Sequence, residues 1–224
     1  MQTMAADVPE VSDKGKRVIH EQRQKMEEGK RGPSTVIPVN MVIPARQRIL
    51  TDAQVREILA TSDSVGITQC GCRVSEGNCA SPLDVCIVVG MSDEDIAKSE
   101  DTDPLSVEEA LEVLTRTSDL GLVHITLWDG SHTPYAICSC CPCCCHELLA
   151  MSRFGYSDQV IVSDFIAEHD QDACTGCGTC VGRCHFGAFT DVDDGVDLNG
   201  AKCFGCGLCA LTCPSDAISM TGRG

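Results

Sequence analysis

The chain has 224 residues, 33 acidic against 17 basic, and a net charge of −16. That balance excludes nucleic acid as a main partner, because phosphate binding needs an excess of Lys and Arg. Apolar runs such as Val85–Gly90 fall far short of the roughly 20 residues of a membrane helix, and Asp7, Glu10, Asp13 and Lys14 interrupt any apolar leader, so neither membrane insertion nor export is expected.

The strongest signal is sulfur, with 18 cysteines in the chain. A disulfide framework suits short secreted chains, and neighbours such as Cys140–Cys141 or Cys143–Cys144–Cys145 would bond poorly to one another. Thiolates gathered around metal account for the crowding. Soft sulfur selects zinc, copper(I) or iron–sulfur clusters, and a reducing cytoplasm is the expected location.

Residues 1–35 carry seven basic and six acidic groups with few apolar ones. They read as a flexible charged tail with a short helix over Lys14–Glu28. Residues 36–167 read as a cysteine-rich domain of mixed α/β type. Thr51 caps a helix through about Ala60, with Val55, Ile58 and Leu59 on one face. Val65–Gln69 reads as a short strand leading into Cys70, and Asp84–Gly90 as a buried strand. Ser106 and Glu109 form a capping box for a helix over Ser106–Asp119, stopped at Gly121. Strands over Leu122–Trp128 and Tyr135–Cys138, a helix over Cys144–Phe154, and a strand or connector over Val160–Ile166 complete the domain. Strands alternating with helices predict an α/β or α+β unit.

Ten cysteines fall in this domain in two groups. Cys70, Cys72, Cys79 and Cys86 lie at a strand end, in a loop and within a strand, and Gly71, Gly77 and Pro82 permit the fold-back that would bring them together. Cys138, Cys140, Cys141, Cys143, Cys144 and Cys145 crowd where a strand meets a helix. Free amides and the positive dipole end at a helix start lower thiolate pKa and favour an anionic cluster. Ten thiols allow two further four-iron clusters with two spare, one larger cluster, or a cluster beside a zinc site. His146 is a candidate ligand that also suits a plain helical turn. Arg73 either offsets cluster charge or pairs with an acid.

Residues 168–224 hold the most specific pattern. Cys174, Cys177, Cys180 and Cys184 have the spacing C-x2-C-x2-C-x3-C, and Cys203, Cys206, Cys209 and Cys213 repeat it before Pro214. Zinc sites use two separated C-x2-C pairs instead. In the bacterial two-cluster run the fourth cysteine ligates the other cubane. This assigns Cys174, Cys177, Cys180 and Cys213 to one 4Fe–4S cluster, and Cys203, Cys206, Cys209 and Cys184 to the second. His185 stands where the repeat has proline, either raising a cluster potential by hydrogen bonding or filling a tolerated turn position.

The segment resembles the two-cluster bacterial ferredoxins over about residues 168–222. The wider arrangement is similar to iron–sulfur proteins of anaerobic bacteria and archaea in which a cysteine-rich domain precedes a two-cluster ferredoxin domain. That likeness rests on Cys70-Gly71-Cys72-Arg73, on Pro82 to Cys86 and on Cys138 to Cys145, and covers about residues 45–222. It implies cofactor and lifestyle, with further 4Fe–4S clusters in the N-terminal domain, and names no substrate.

Electron transfer to redox partner proteins is the leading expectation, with an acidic surface docking on basic patches. One alternative is an oxidoreductase whose N-terminal cluster is a substrate site fed by the ferredoxin domain. Another is a metal or redox sensor. No G-x-G-x-x-G turn or P-loop occurs, and no catalytic residues stand out.

Overall fold

The computed structural model describes residues 47–128, 134–154, 160–193 and 195–223, the backbone of 34–37 and 41–44, and five helical residues between 16 and 24. Most of the expected tail helix lies outside the described residues. Two strands, β1 (Ser34–Ile37) and β2 (Met41–Pro44), pair antiparallel.

The elements that follow are β3 (Gln47–Leu50), α1 (Asp52–Ala60), β4 (Val65–Gln69), α2 (Gly71–Glu76), β5 (Asp84–Val89), α3 (Asp93–Lys98), β6 (Asp103–Leu105), α4 (Val107–Asp119), β7 (Val123–Trp128), β8 (Pro134–Cys140), α5 (His146–Phe154) and β9 (Val160–Ile161). Their strands form one seven-stranded sheet in the order β6-β4-β5-β8-β7-β3-β9. Every pairing is antiparallel except β3 with β9. The domain is therefore mixed α/β, but hairpins rather than parallel crossovers build its sheet.

Local chemistry explains the surest elements. Thr51 and Ser106 each accept the backbone N–H three residues on, while Gln54 and Glu109 reach back to close a capping box. Where the sequence suggested a loop after Cys70, the chain forms the short helix α2, ended by Gly77 in a left-handed conformation. Strand β8 runs to Cys140, two residues beyond expectation, and α5 begins at His146, two residues later. The dense cysteines thus straddle a corner.

Strand alternation sorts side chains onto two faces. Leu50, Val65, Ile87, Val89 and Ile137 pack on one face against Val55 and Leu59 of α1 and Ala110 and Leu114 of α4. Ile49, Val123, Ile125 and Cys140 face the other way, against Leu148 and Met151 of α5. Leu208, from the C-terminal module, is buried in that same cluster at 2% exposure.

That module comprises β10 (Phe165–His169), α6 (Thr179–Arg183), β11 (Phe189–Val192), β12 (Gly195–Leu198), a 3-10 turn (Gly200–Lys202), α7 (Leu208–Leu211) and β13 (Ile218–Gly222). Strand β10 pairs with β13 and β11 with β12, both antiparallel. The expected element over 160–166 therefore divides: β9 joins the large sheet, and β10 starts the module at Phe165. No described helix is long and apolar enough to cross a membrane.

Arg183, His185 and two phenylalanines that pack on the shared core help hold the module to the sheet domain. Arg183 donates to the carbonyls of Ser118 and Asp119, at 2.7 and 2.6 Å, where α4 ends. Carbonyls in the last turn carry the negative dipole end and have acceptor capacity to spare, Ser118 taking the Gly121 N–H at 2.9 Å as well, so a guanidinium suits them. His185 donates from Nε2 to the Gly121 carbonyl at 2.7 Å. Phe186 and Phe204 stack with centroids 4.6 Å apart beneath the shared core.

Candidate cluster and metal sites

The two cysteine runs fold as near copies. In each, a glycine at positive φ (Gly178 at 69°, Gly207 at 78°) precedes a helix of one turn that carries the third cysteine. At Gly205 a Cβ would fall 2.0 Å from the Phe165 carbonyl oxygen, so a side chain there is excluded.

Two cavities result. One is lined by Cys174, Cys177, Cys180 and Cys213, among others. The other is lined by Cys184, Cys203, Cys206 and Cys209, among others. These are the two groups formed by exchanging the fourth cysteine of each run.

Several features fit these cavities to anionic iron–sulfur groups. Amides already donate to thiols there, Gly176 to Cys174 at 3.4 Å and Ala188 to Cys184 at 3.3 Å. Each cavity also borders a buried nitrogen without a hydrogen-bond partner among the described residues: His169 Nε2 at the first and Arg183 Nε at the second. A buried unpaired N–H is costly unless something accepts it, and cluster sulfide is such an acceptor. Burial pushes the Cys206 and Cys209 thiols up to about 12, so metal binding there displaces protons. Hydrogen bonding from Thr179 lowers the exposed Cys177. His185, weighed as a tuning residue, spends Nε2 on Gly121 at the module interface.

In the sheet domain the structure regroups the ten cysteines. Cys138 and Cys140 lie on the sheet face that the C-terminal module covers, opposite Ile125 and Val123. Ile87 pairs with Ile137, which sets Cys86 beside Cys138 on that same face. A bulge at Thr68/Gln69 ends β4 and leaves Cys70 to precede α2, its amide bonded to the Leu83 carbonyl at 2.8 Å. Thiol contacts then run Cys70–Cys86–Cys138–Cys140–Cys145–Cys72. Amides at the start of α5 point into this basin, His146 toward Cys72 and Glu147 and Leu148 toward Cys145.

The other four, Cys79, Cys141, Cys143 and Cys144, gather over Leu122. Neither sequence group stays whole: Cys79 leaves the first, and the dense run divides equally. His146, the candidate ligand, has its Nε2 3.2 Å from a Glu76 carboxylate oxygen.

Arg73 lies between the two thiol groups, 2% exposed. It donates to Cys141 Sγ at 3.4 Å, to the Pro82 carbonyl at 2.5 Å and to the Ser139 carbonyl. No carboxylate is among these partners. A buried guanidinium needs a counter-charge, and cysteine sulfurs, Cys141 foremost, are what surrounds it. Hydrogen bonding from Cys143, then Arg73, holds Cys141 down at about 4.

A polar chain behind the sheet escaped the sequence reading. Asp52 accepts from Ser118 at 3.0 Å, and the buried His124 ring sits between Ser118 at 3.0 Å and Ser139 at 3.2 Å. Burial pushes His124 down to about 4, so the ring is neutral. Its signal was a lone histidine in an apolar strand, which alternation alone could not connect to α4.

Residues 173–218 match the 4Fe-4S dicluster domain family. The C-terminal segment is thus an iron–sulfur domain of the 4Fe–4S type, and metal binding and electron transfer are its chemistry. The chain is 44% identical over 72 residues to an uncharacterised protein of Methanothermobacter thermautotrophicus, covering 31% of this chain and 15% of that one. It is 32% identical over 77 residues to Hydrogenase-4 component A of Escherichia coli, covering 34% of this chain and 33% of the relative. An archaeal-type glutamate synthase (NADPH) of Dehalococcoides mccartyi is 31% identical over 58 residues, 25% of this chain and 12% of that one. The chain therefore spans a third or less of the length of these relatives.

Proposed function

We propose that the protein is a ferredoxin-type electron carrier or electron-transfer subunit, with two 4Fe–4S clusters in the C-terminal module and a further cluster in the six-thiol basin. The observation that carries this reading is the lining of each C-terminal cavity, three cysteines from one run and the last cysteine of the other. By this reading Cys174, Cys177, Cys180 and Cys213 hold the first cluster, and Cys203, Cys206, Cys209 and Cys184 hold the second. Such clusters, when bound, supply one-electron acceptance and donation.

The chain's own part is to order the sites. Cys206 of the second site packs on the same apolar core as Cys138, Cys140 and Cys145 of the basin. This supports a path from basin to second site to first site. Cys177 gives the first site an exposed edge, with Asp170, Asp172 and Asp191 exposed on the same module. A partner with a basic docking surface matches that edge and the overall charge of −16. The reducing cytoplasm suits so many unpaired thiols. An open depression lined by Arg56, Glu112, Arg116 and Asp119 contains no cysteine, so it offers a substrate no contact with the thiols.

Anaerobic iron and sulfide analysis with an EPR-monitored redox titration tests this, on wild type beside Cys184→Ser. The expectation is at least about eight irons, spin-coupled signals on full reduction, and selective loss of one signal in the variant. Fewer irons, or reduced protein unable to pass electrons to a one-electron acceptor, overturns it.

A further inference from the structure

The Sγ atoms of Cys79, Cys141, Cys143 and Cys144 all lie within 4.8 Å of one another. Cys79 is 3.8 Å from both Cys141 and Cys144, and Cys143 is 3.9 Å from Cys144. A tetrahedral metal with bonds of about 2.3 Å to sulfur has sulfur–sulfur edges of about 3.8 Å, the bond length times √(8/3). Thiolates on a four-iron cube each bind a different iron, so they stand outside separate corners and farther apart. The three closest distances match the edges of a single tetrahedral ion.

We propose that Cys79, Cys141, Cys143 and Cys144 form a closed mononuclear tetrathiolate site that takes zinc, distinct from the six-thiol basin beside it. Tetrahedral all-sulfur coordination suits zinc, and zinc outcompetes iron(II) for a given site by affinity. Four thiolates and one zinc ion carry a net charge of −2, which Arg73 partly offsets through its 3.4 Å contact to Cys141. Surrounding groups orient the ligands, as metal sites require. The amide of Cys144 points at Cys141 and the amide of Asn78 at Cys144. The Asn78 side chain donates to the Cys143 carbonyl at 2.9 Å. With all four positions taken by protein, the ion has no open site for substrate and acts as a staple. It ties the loop after α2 to the corner between β8 and α5. The proposal stands on sulfur spacing alone and is independent of the electron-transfer reading.

The test is zinc, iron and sulfide analysis of the anaerobically purified full chain, with Cys79→Ser and Cys79→His beside it. Wild type should hold one zinc per chain. Cys79→Ser should lose it at least tenfold and Cys79→His should keep it, with iron and sulfide equal in all three. Because Cys79→Ser can fail to fold, zinc-edge X-ray absorption of the wild type gives a second measurement. Four sulfurs at about 2.3 Å are expected. Nitrogen or oxygen ligands, a wild type without zinc, one iron in its place, or loss of iron and sulfide in a folded Cys79→Ser each overturn the proposal.

Discussion

The C-terminal module and the sheet domain both crowd cysteines into small volumes, yet they support them by opposite means. The module's helices α6 and α7 have five and four residues, too short to persist alone. Its apolar cluster counts Cys180 and Cys209 among its buried members, with Cys184, Cys203 and Cys213 packed against them. Cysteine side chains make up much of the core there. The sheet domain has independent support, since Val55, Leu59, Ile87, Leu114 and Ile137 are all within 1% of full burial behind the sheet. Metal should therefore be structural capital in the module and a local fastening in the sheet domain.

Stripping iron tests this contrast with the largest effect. Chelation under reducing conditions should abolish protection of residues 165–222 while β4, β5, β7 and β8 remain protected, as hydrogen exchange would resolve. Equal loss in both regions would erase the distinction. Next in size is Arg73→Met, which removes the buried cation among thiolates. Breaking one side of a buried charge set costs on the order of 3–5 kcal/mol. Zinc and iron analysis should show metal lost from the sheet domain, with the iron of the C-terminal module retained.

Acid should act on the sheet domain through His124. Its ring takes a proton near pH 6.5 when unfolded and only near pH 4 when folded, chiefly because it is buried. Between those values the unfolded chain binds more protons, so stability falls as pH drops from about 6.5 toward 4. The loss is on the order of 3 kcal/mol. Denaturant midpoints across that range should decline in wild type and flatten in His124→Asn. The smallest effect belongs to Arg183→Ala, which strips two hydrogen bonds from the end of α4. It should cost roughly 1–3 kcal/mol, loosen the module from the sheet domain, and raise exchange at Gly121 and Leu122. Wild-type exchange there would show that the shared apolar core and the His185–Gly121 bond hold the two together without Arg183.

The C-terminal groups were legible because their chemistry is local and repeated. Two runs of equal spacing, with glycine on either side of the middle cysteine, specify the same loop twice, and a general ligation rule exchanges the fourth member. Capping boxes at Thr51 and Ser106 were legible for the same reason, since each closes within four residues. The role of His185 was not, because its partner Gly121 is 64 positions away.

From the amino-acid order alone came the iron–sulfur chemistry of the C-terminal segment and the mixed α/β class. Only the folded chain decided how the ten remaining cysteines divide. Strand pleat sends Cys138 and Cys140 to one face, and the corner before α5 parts Cys144 from Cys145. A register shift of a single residue would reverse those assignments. Register is set by contacts across the sheet, such as Ile125 opposite Cys138, and spacing along the chain does not encode them.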